Sequence, residues 1–157
     1  MNNKYINIYN NLVNLTRNKN LYKNFSTQDT FSDRLVFFMF HFAFFLKVFK
    51  KQNKKQILQE IYDQIFKYLE LSIREMGYGD ITINKKMKNY LNMFHSILEQ
   101  INNWENISHS HKNKVITDFL NIDKNVHNLV DYFDNYIVNL SNNSLNFYIK
   151  GVVKDKF

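Results

Sequence analysis

Apolar residues recur every three to four positions along most of this chain, which is the spacing of amphipathic α-helices. The predicted helices cover residues 4–16, 54–76, 83–102, 112–120 and 123–141. A further helix runs to about Lys50, with Ser26, Thr27 and Asp29 as its candidate N-caps. The pattern therefore predicts an all-α fold, a single-domain bundle of about five to six helices over residues 1–157. For the tail 142–157, a short helix and a strand-like arm both remain open.

The longest apolar run is "LVFFMFHFAFFLKVF", residues 35–49. Between Arg34 and Lys47 it holds 12 residues, whereas a membrane-spanning helix needs about 20. We therefore expect a helix buried in the protein core, with a re-entrant or interfacial membrane segment as the alternative. His41 lies in the middle of the run. It is expected to be a core histidine whose partner comes from elsewhere in the chain, rather than a ligand.

The amino-acid composition limits the kinds of functional site and partner that the chain can have. The chain has no cysteine, which excludes disulfides, thiolate nucleophiles and cysteine-based metal sites. A formal net charge of +7 favours anionic partners such as lipid headgroups, RNA or an acidic protein face. Lysines cluster at residues 47–55 and 85–88, either as solvated faces or as one basic patch. The N-terminus resembles neither a secretory signal nor a mitochondrial presequence, so a bacterial chain is expected.

Two of the three glycines stand in one short stretch, "SIREMGYGDITINKK", residues 72–86. A glycine-rich phosphate loop follows a strand, whereas this stretch follows a strong helical pattern. Gly77 is therefore predicted to end the third helix with a positive φ. Thr82 or Asp80 is predicted to cap the fourth helix. Such a corner explains Gly79 less well than Gly77.

Nothing in the sequence predicts catalysis. No serine, threonine or lysine lies in a recognisable nucleophile context, and no pair of acids is apparent. His109 and His111 form a two-residue motif without a third ligand nearby in sequence, so neither a metal nor a cofactor is predicted. An enzyme would need a pocket with a strongly perturbed acid or base, for which His41 is the candidate.

Two longer segments resemble the ubiquinol–cytochrome c chaperone family: "DTFSDRLVFFMFHFAFFLKVF" and "YLELSIREMGYGDITINKKMKNYLNMF". The resemblance covers a core of about residues 5–101 and leaves the predicted C-terminal helices, 112–141, and the tail unmatched. Its specific part is the Arg-Glu-Met-Gly-x-Gly-Asp element. At 94–97 the chain has "FHSI" where the family pattern has an aromatic pair followed by Gly-Arg. The matching residues are Asp29, Thr30, Arg34, His41, Arg74, Glu75, Met76, Gly77, Gly79, Asp80, Lys85 and Lys86.

The resemblance implies a non-enzymatic assembly chaperone for the cytochrome bc1 complex. Family members bind newly made cytochrome b, and the mitochondrial ones also associate with the ribosome. The expected partners are therefore nascent cytochrome b, the ribosome, an anionic membrane surface and a small partner subunit. The expected location is the bacterial cytoplasm, peripheral at the inner membrane. The alternative is a basic helical module that binds RNA or the ribosome without a bc1 client.

The same resemblance suggests a role for residues 74–80. We hypothesise a rigid, charged turn that presents a recognition surface. Arg74, Glu75 and Asp80 would bond to helix ends or to each other, and the glycines would allow close approach of the helices. Asp29 and Arg34 would join this network. If such a network were buried, removal of one charged partner would cost about 3–5 kcal/mol.

Overall fold

The computed structural model describes residues 3–23, 30–52, 55–120 and 127–151. All regular structure in these segments is helical, which confirms the all-α class. The segments contain seven α-helices, where about five to six were predicted, and two short 3₁₀ helices at Lys19–Tyr22 and Trp104–Asn106. The α-helices are α1 Ile6–Thr16, α2 Phe31–Phe49, α3 Lys55–Arg74, α4 Asp80–Ile101, α5 His109–Leu120, α6 His127–Ser141 and α7 Leu145–Lys150.

Helix α2 is the centre of the bundle. It begins where the Thr30 hydroxyl accepts a hydrogen bond from the Asp33 backbone N–H at 3.2 Å, which caps the helix. Every residue from 35 to 45 is buried, because α1, α4, α5 and α6 all pack against it. A helix that is apolar on all sides requires such a surround. The prediction of a buried core helix is confirmed, and no helix in the described segments could span a membrane.

The seventh helix lies in the tail, where the sequence left two alternatives open. The Ser144 hydroxyl accepts a hydrogen bond from the Phe147 N–H and begins α7. Gly151, with φ 75°, ends it in the left-handed conformation. The helix packs against α1, where the Asn7 side-chain amide donates to the Ile149 carbonyl at 3.0 Å. Leu145–Lys150 is therefore a short helix rather than an extended arm.

Two boundaries differ from the predicted ones. Helix α4 begins at Asp80 rather than at residue 83, because Gly79 takes the extended N-cap conformation. The prediction that Thr82 or Asp80 caps this helix is therefore wrong, since no side chain caps it. Helix α5 begins at His109 rather than at 112. The segment 102–111, which lies between the predicted helices 83–102 and 112–120, buries Trp104 in a 3₁₀ turn. The indole N–H of Trp104 donates to the Asp134 carboxylate on α6 at 2.8 Å, which fixes this connector to the bundle.

Candidate functional site

The corner between α3 and α4, residues 74–80, has a backbone that its glycines explain only in part. Gly77 has φ +93° and donates its N–H to the Arg74 carbonyl at 3.0 Å, so the predicted left-handed helix ending is confirmed. Gly79 has φ −75° and ψ 162°, which any residue can adopt. A Cβ atom at either glycine would meet nothing within 4 Å. The expectation that these glycines allow close helix approach is therefore wrong.

An ion pair joins the two ends of the corner. Arg74 Nη1 lies 2.5 Å from Asp80 Oδ1, and Arg74 Nη2 lies 3.9 Å from Glu70 Oε1. The hydrogen bond to Asp80 raises the pKa of Arg74. The side chains of Arg74 and Asp80 are 38% and 83% exposed, and Glu75 is exposed outside this pair. Arg74 is therefore paired with Asp80 and Glu70, but these side chains are exposed to water, which screens the pair, so the cost given for a buried network does not apply.

The corner also carries an exposed apolar cluster that the sequence did not predict. Leu71, Met76, Tyr78 and Ile81 are four of the five large hydrophobic side chains that are exposed in the described segments. Ile81 is 87% exposed and Met76 is 53% exposed. A cluster of exposed apolar side chains on a protein surface is typical of an interaction site. We call the residues from Leu71 to Ile81 the apolar corner.

Basic residues border the apolar corner along the first turns of α4. Lys86 holds its Nζ 4.7 Å from the centre of the Tyr78 ring, a cation–π contact. Lys85 is exposed beside it. Both lysines therefore lie close to the corner, as the sequence motif placed them.

A groove opens beside the apolar corner, between α1, the start of α2 and the end of α3. Its volume is about 200 Å³. It brings together two residues from separate motif elements, since Arg34 and Met76 both line it. Asp29, which was predicted to join Arg34, lies outside the described residues. The lining residues are Tyr9, Val13, Thr16, Arg17, Phe31, Arg34, Leu35, Phe38, Leu69, Ser72, Ile73 and Met76.

The hydroxyl groups in this groove are already engaged as donors. Ser72 Oγ donates to the Tyr68 carbonyl at 3.1 Å, so Tyr9 must donate to Ser72 Oγ, 2.8 Å away. Thr16 Oγ1 donates to the Val13 carbonyl at 2.7 Å. Burial raises the pKa of Tyr9, so its hydroxyl stays protonated. The guanidinium groups of Arg17 and Arg34 also line the groove.

His41 is a core residue, as predicted, and does not line the groove. Its Nδ1 lies 2.7 Å from the Phe37 carbonyl, which can only accept, so this nitrogen carries the proton. Its Nε2 therefore accepts a hydrogen bond from the Tyr132 hydroxyl, also at 2.7 Å. Burial lowers the pKa of His41 to about 4, partly offset by the bond to Phe37. The ring is neutral and fully enclosed, and it does not line the pocket that the enzyme alternative places around it.

The two-residue histidine motif also has a local explanation. His109 Nε2 lies 3.3 Å from Asp131 Oδ1 on α6, and both groups are exposed. In the described part of the chain, no group of three or more potential ligands could hold a metal ion.

The helices and the apolar corner together define an all-helical protein with an exposed apolar surface. A family model described as ubiquinol-cytochrome C chaperone matches residues 23–103, just over half of the chain. The chain belongs to this family. The match contains α2, α3, α4 and the whole apolar corner, and it begins after α1.

A solved structure shares the fold. The crystal structure of the Cbp3 homolog from Brucella abortus matches with a TM-score of 0.66, over 96% of this chain and 87% of that one. The two sequences are 21% identical, so the likeness concerns the fold alone. No curated protein matches the chain.

Proposed function

We propose that this protein is a non-enzymatic assembly chaperone of the cytochrome bc1 complex that binds newly made cytochrome b at the apolar corner. The family supplies the bc1 complex as the general setting. The observation that carries the proposal is the position of the exposed hydrophobics. Four of the five in the described segments lie in Leu71 to Ile81, inside the family match.

The chemistry of the corner suits this client. A newly made membrane protein exposes apolar helices until it is inserted and assembled, and an exposed apolar surface can cover such a helix. The ion pair of Arg74 with Asp80 links the ends of α3 and α4, so it favours one orientation of the corner before binding. A preformed surface loses less conformational entropy on association.

The partner-binding role extends to the charged residues of the corner. A polar rim surrounds the exposed hydrophobics and consists of Arg74, Glu75, Asp80, Lys85 and Lys86. Gly77 and Gly79 shape the backbone between these residues. A polar rim around an apolar centre is the usual composition of a protein interface. Arg34 takes part through the adjoining groove, and His41 only supports the fold.

We propose the inner membrane of a bacterium, on its cytoplasmic side, as the place of binding, because the client is made there. The ribosome, an anionic membrane surface and a small partner subunit are further proposed partners. The basic RNA-binding alternative finds less support. In the described segments, Lys47 pairs with Glu105 at 3.1 Å and Lys112 pairs with Asp134 at 3.1 Å, so these two lysines are engaged within the fold.

The test is an affinity purification of the tagged protein from its own cells in mild detergent, followed by mass spectrometry. The informative variant is Ile81→Asp, because this side chain is 87% exposed and its replacement leaves the core intact. Val138→Asp, on α6 and 58% exposed, is the matched control for adding a charge at an exposed apolar position.

We expect cytochrome b among the strongest partners of the wild type and of Val138→Asp, and its loss from Ile81→Asp. Equal recovery of cytochrome b by Ile81→Asp would contradict binding at the apolar corner. Recovery of ribosomal proteins alone, in a salt-sensitive manner, would instead support the RNA-binding alternative.

A further inference from the structure

Two lysines of α4 continue the surface on which Ile81 lies. Lys85 and Lys88 stand four and seven residues after Ile81, so helical spacing places all three side chains on one side of α4. These three residues are exposed, whereas Ile83 and Met87 are buried in the core. We call Ile81, Lys85 and Lys88 the outer face of α4. This face is apolar at the start of the helix and basic over the next two turns.

The fold does not neutralise the charge of these two lysines. Within the described segments, neither Lys85 nor Lys88 forms an ion pair with a carboxylate. The positions three and four residues away from each of them on α4 hold no acid. Lys47 and Lys112, by contrast, each pair with an acid of another element. The two ammonium groups of the outer face are therefore available to a carboxylate of a partner.

The stability of α4 does not account for this pair of lysines. Lys85 and Lys88 are three residues apart, and like charges at this spacing slightly destabilise a helix. Lys86 differs from them, because its ammonium group lies 4.7 Å from the centre of the Tyr78 ring. A local arrangement that opposes stability is expected where the residues serve binding. The outer face therefore has the properties of a contact surface.

The charges along this surface are separated into an acidic and a basic part. Residues 70–80 hold three acids and Arg74, whereas residues 85–88 hold three lysines. The acids lie beside the exposed hydrophobics, and Arg74 pairs with two of them, Glu70 and Asp80. An acidic residue of a partner is therefore repelled at the apolar corner and attracted further along α4.

The rise of the helix sets the distance between the apolar and the acidic part of such a partner. At about 1.5 Å per residue, Lys85 lies about 6 Å and Lys88 about 10 Å along α4 from Ile81. A partner helix that runs alongside α4 and packs an apolar side chain on Ile81 places a residue four to seven positions away opposite the lysines. The border between an apolar membrane helix and an acidic loop has this composition.

We infer that the outer face of α4 recognises a client segment in which an apolar stretch is followed by an acidic residue. The apolar side chains pack on the apolar corner, and the carboxylate binds between Lys85 and Lys88. This inference rests on the proposed function, because it specifies which kind of segment of cytochrome b the corner binds.

The experiment measures, in mild detergent, the binding of overlapping synthetic peptides that span the cytochrome b of the same cell. Each binding peptide that contains Asp or Glu is compared with its Asn or Gln form and with a form that has Lys at the same position. The double variant Lys85→Glu and Lys88→Glu reverses the charge of the outer face.

The matched control is the double variant Lys51→Glu and Lys55→Glu, which changes the net charge by the same amount. Lys55 begins α3, at the end opposite the corner, and Lys51 lies four residues earlier; both are exposed. Any effect of net charge alone is therefore equal in the two double variants.

We expect reversal at Lys85 and Lys88 to weaken the best acidic peptide by about tenfold or more, a change that corresponds to about 1.4 kcal/mol. The amide form should bind this variant and the wild type alike. The lysine form should bind the variant more tightly than it binds the wild type, because the charges are then exchanged across the interface. The control variant should bind all forms as the wild type does.

Several results would overturn the inference. One is peptide binding that Ile81→Asp abolishes but that reversal at Lys85 and Lys88 leaves unchanged; the proposed function would then stand without a role for the lysines. Another is equal binding of the acidic and amide peptides together with binding of phosphatidylglycerol vesicles that the reversal abolishes, which would assign the lysines to an anionic membrane. If no peptide binds the wild type, the inference fails, and the co-purification decides the proposed function separately.

Discussion

Arg74, the last residue of α3, and Asp80, the first residue of α4, form an ion pair across the corner, with Nη1 and Oδ1 2.5 Å apart. Asp80 also lies in the first turn of α4, where its negative charge interacts favourably with the helix dipole. Both side chains are exposed, so the pair orients the two helix ends without the desolvation of a buried ion pair.

This geometry predicts that Arg74→Ala leaves the melting temperature close to that of the wild type. Exposed ion pairs contribute little to the free energy of unfolding, because water and salt screen them. Thermal unfolding followed by circular dichroism is the measurement, with Arg74→Lys as the variant that retains the charge. A fall of many degrees would mean that the corner is a structural element. An unchanged melting temperature together with lost cytochrome b binding would identify Arg74 as a contact residue.

The two glycines of the corner should respond differently to alanine. Gly77→Ala should lower the free energy of unfolding by about 1–2 kcal/mol, because φ is +93° and an L-residue is strained there. Gly79→Ala should change it little, since φ is −75° and the added Cβ meets nothing within 4 Å. Urea unfolding of both variants checks this pair. Equal losses at the two positions would contradict the role assigned to the backbone of Gly77.

Much of the fold follows from short-range patterns in the sequence. The three- to four-residue spacing predicts the amphipathic helices, and the continuous apolar run of α2 predicts burial on all sides. Gly77 predicts the end of α3, because glycine readily adopts the positive φ that ends a helix. By contrast, the partner of His41 is Tyr132, 91 residues away, and no local pattern identifies such a contact.

The candidate site was predictable only in part. The motif pointed to residues 74–80, but not to the exposed hydrophobics around them, because Tyr78 and Ile81 lie between the predicted helices 54–76 and 83–102, where no periodicity indicates which side chains are exposed. The groove was not predictable, since it forms where three separate helices meet. Trp104 was missed for a related reason. Its 3₁₀ turn is too short to show a period, and its burial depends on Asp134 in α6.

The hydrogen bond from the Trp104 indole to the Asp134 carboxylate should contribute to the free energy of unfolding. Asp134→Ala leaves a buried indole N–H without its acceptor and removes the partner of Lys112, so the free energy of unfolding should fall by about 1–3 kcal/mol. Asp131→Ala, three residues earlier on the same helix, removes an acid that is 69% exposed and should have little effect. Chemical unfolding of both variants tests this difference. Similar small changes in the two would show that Trp104 finds another acceptor.

Because His41 is buried and neutral, we expect the folded protein to lose stability in mild acid. Burial lowers its pKa from 6.5 to about 4, so the folded protein keeps the ring neutral where the unfolded chain already binds a proton. The unfolded state therefore binds more protons between these two values, and the free energy of unfolding falls as the pH is lowered through that window. From about pH 7 to about pH 5, this single group should remove about 2 kcal/mol.

The measurement is urea unfolding at a series of pH values for the wild type and for His41→Gln, which cannot titrate but retains a donor and an acceptor. Both proteins carry the same carboxylates, so the difference between their two curves isolates His41. The stability of the wild type should fall more steeply than that of the variant from about pH 6.5 to about pH 4, and the gap should stop widening below that. Parallel curves would mean that the ring accepts a proton inside the fold, and the hydrogen bond from Tyr132 to Nε2 would then be assigned wrongly.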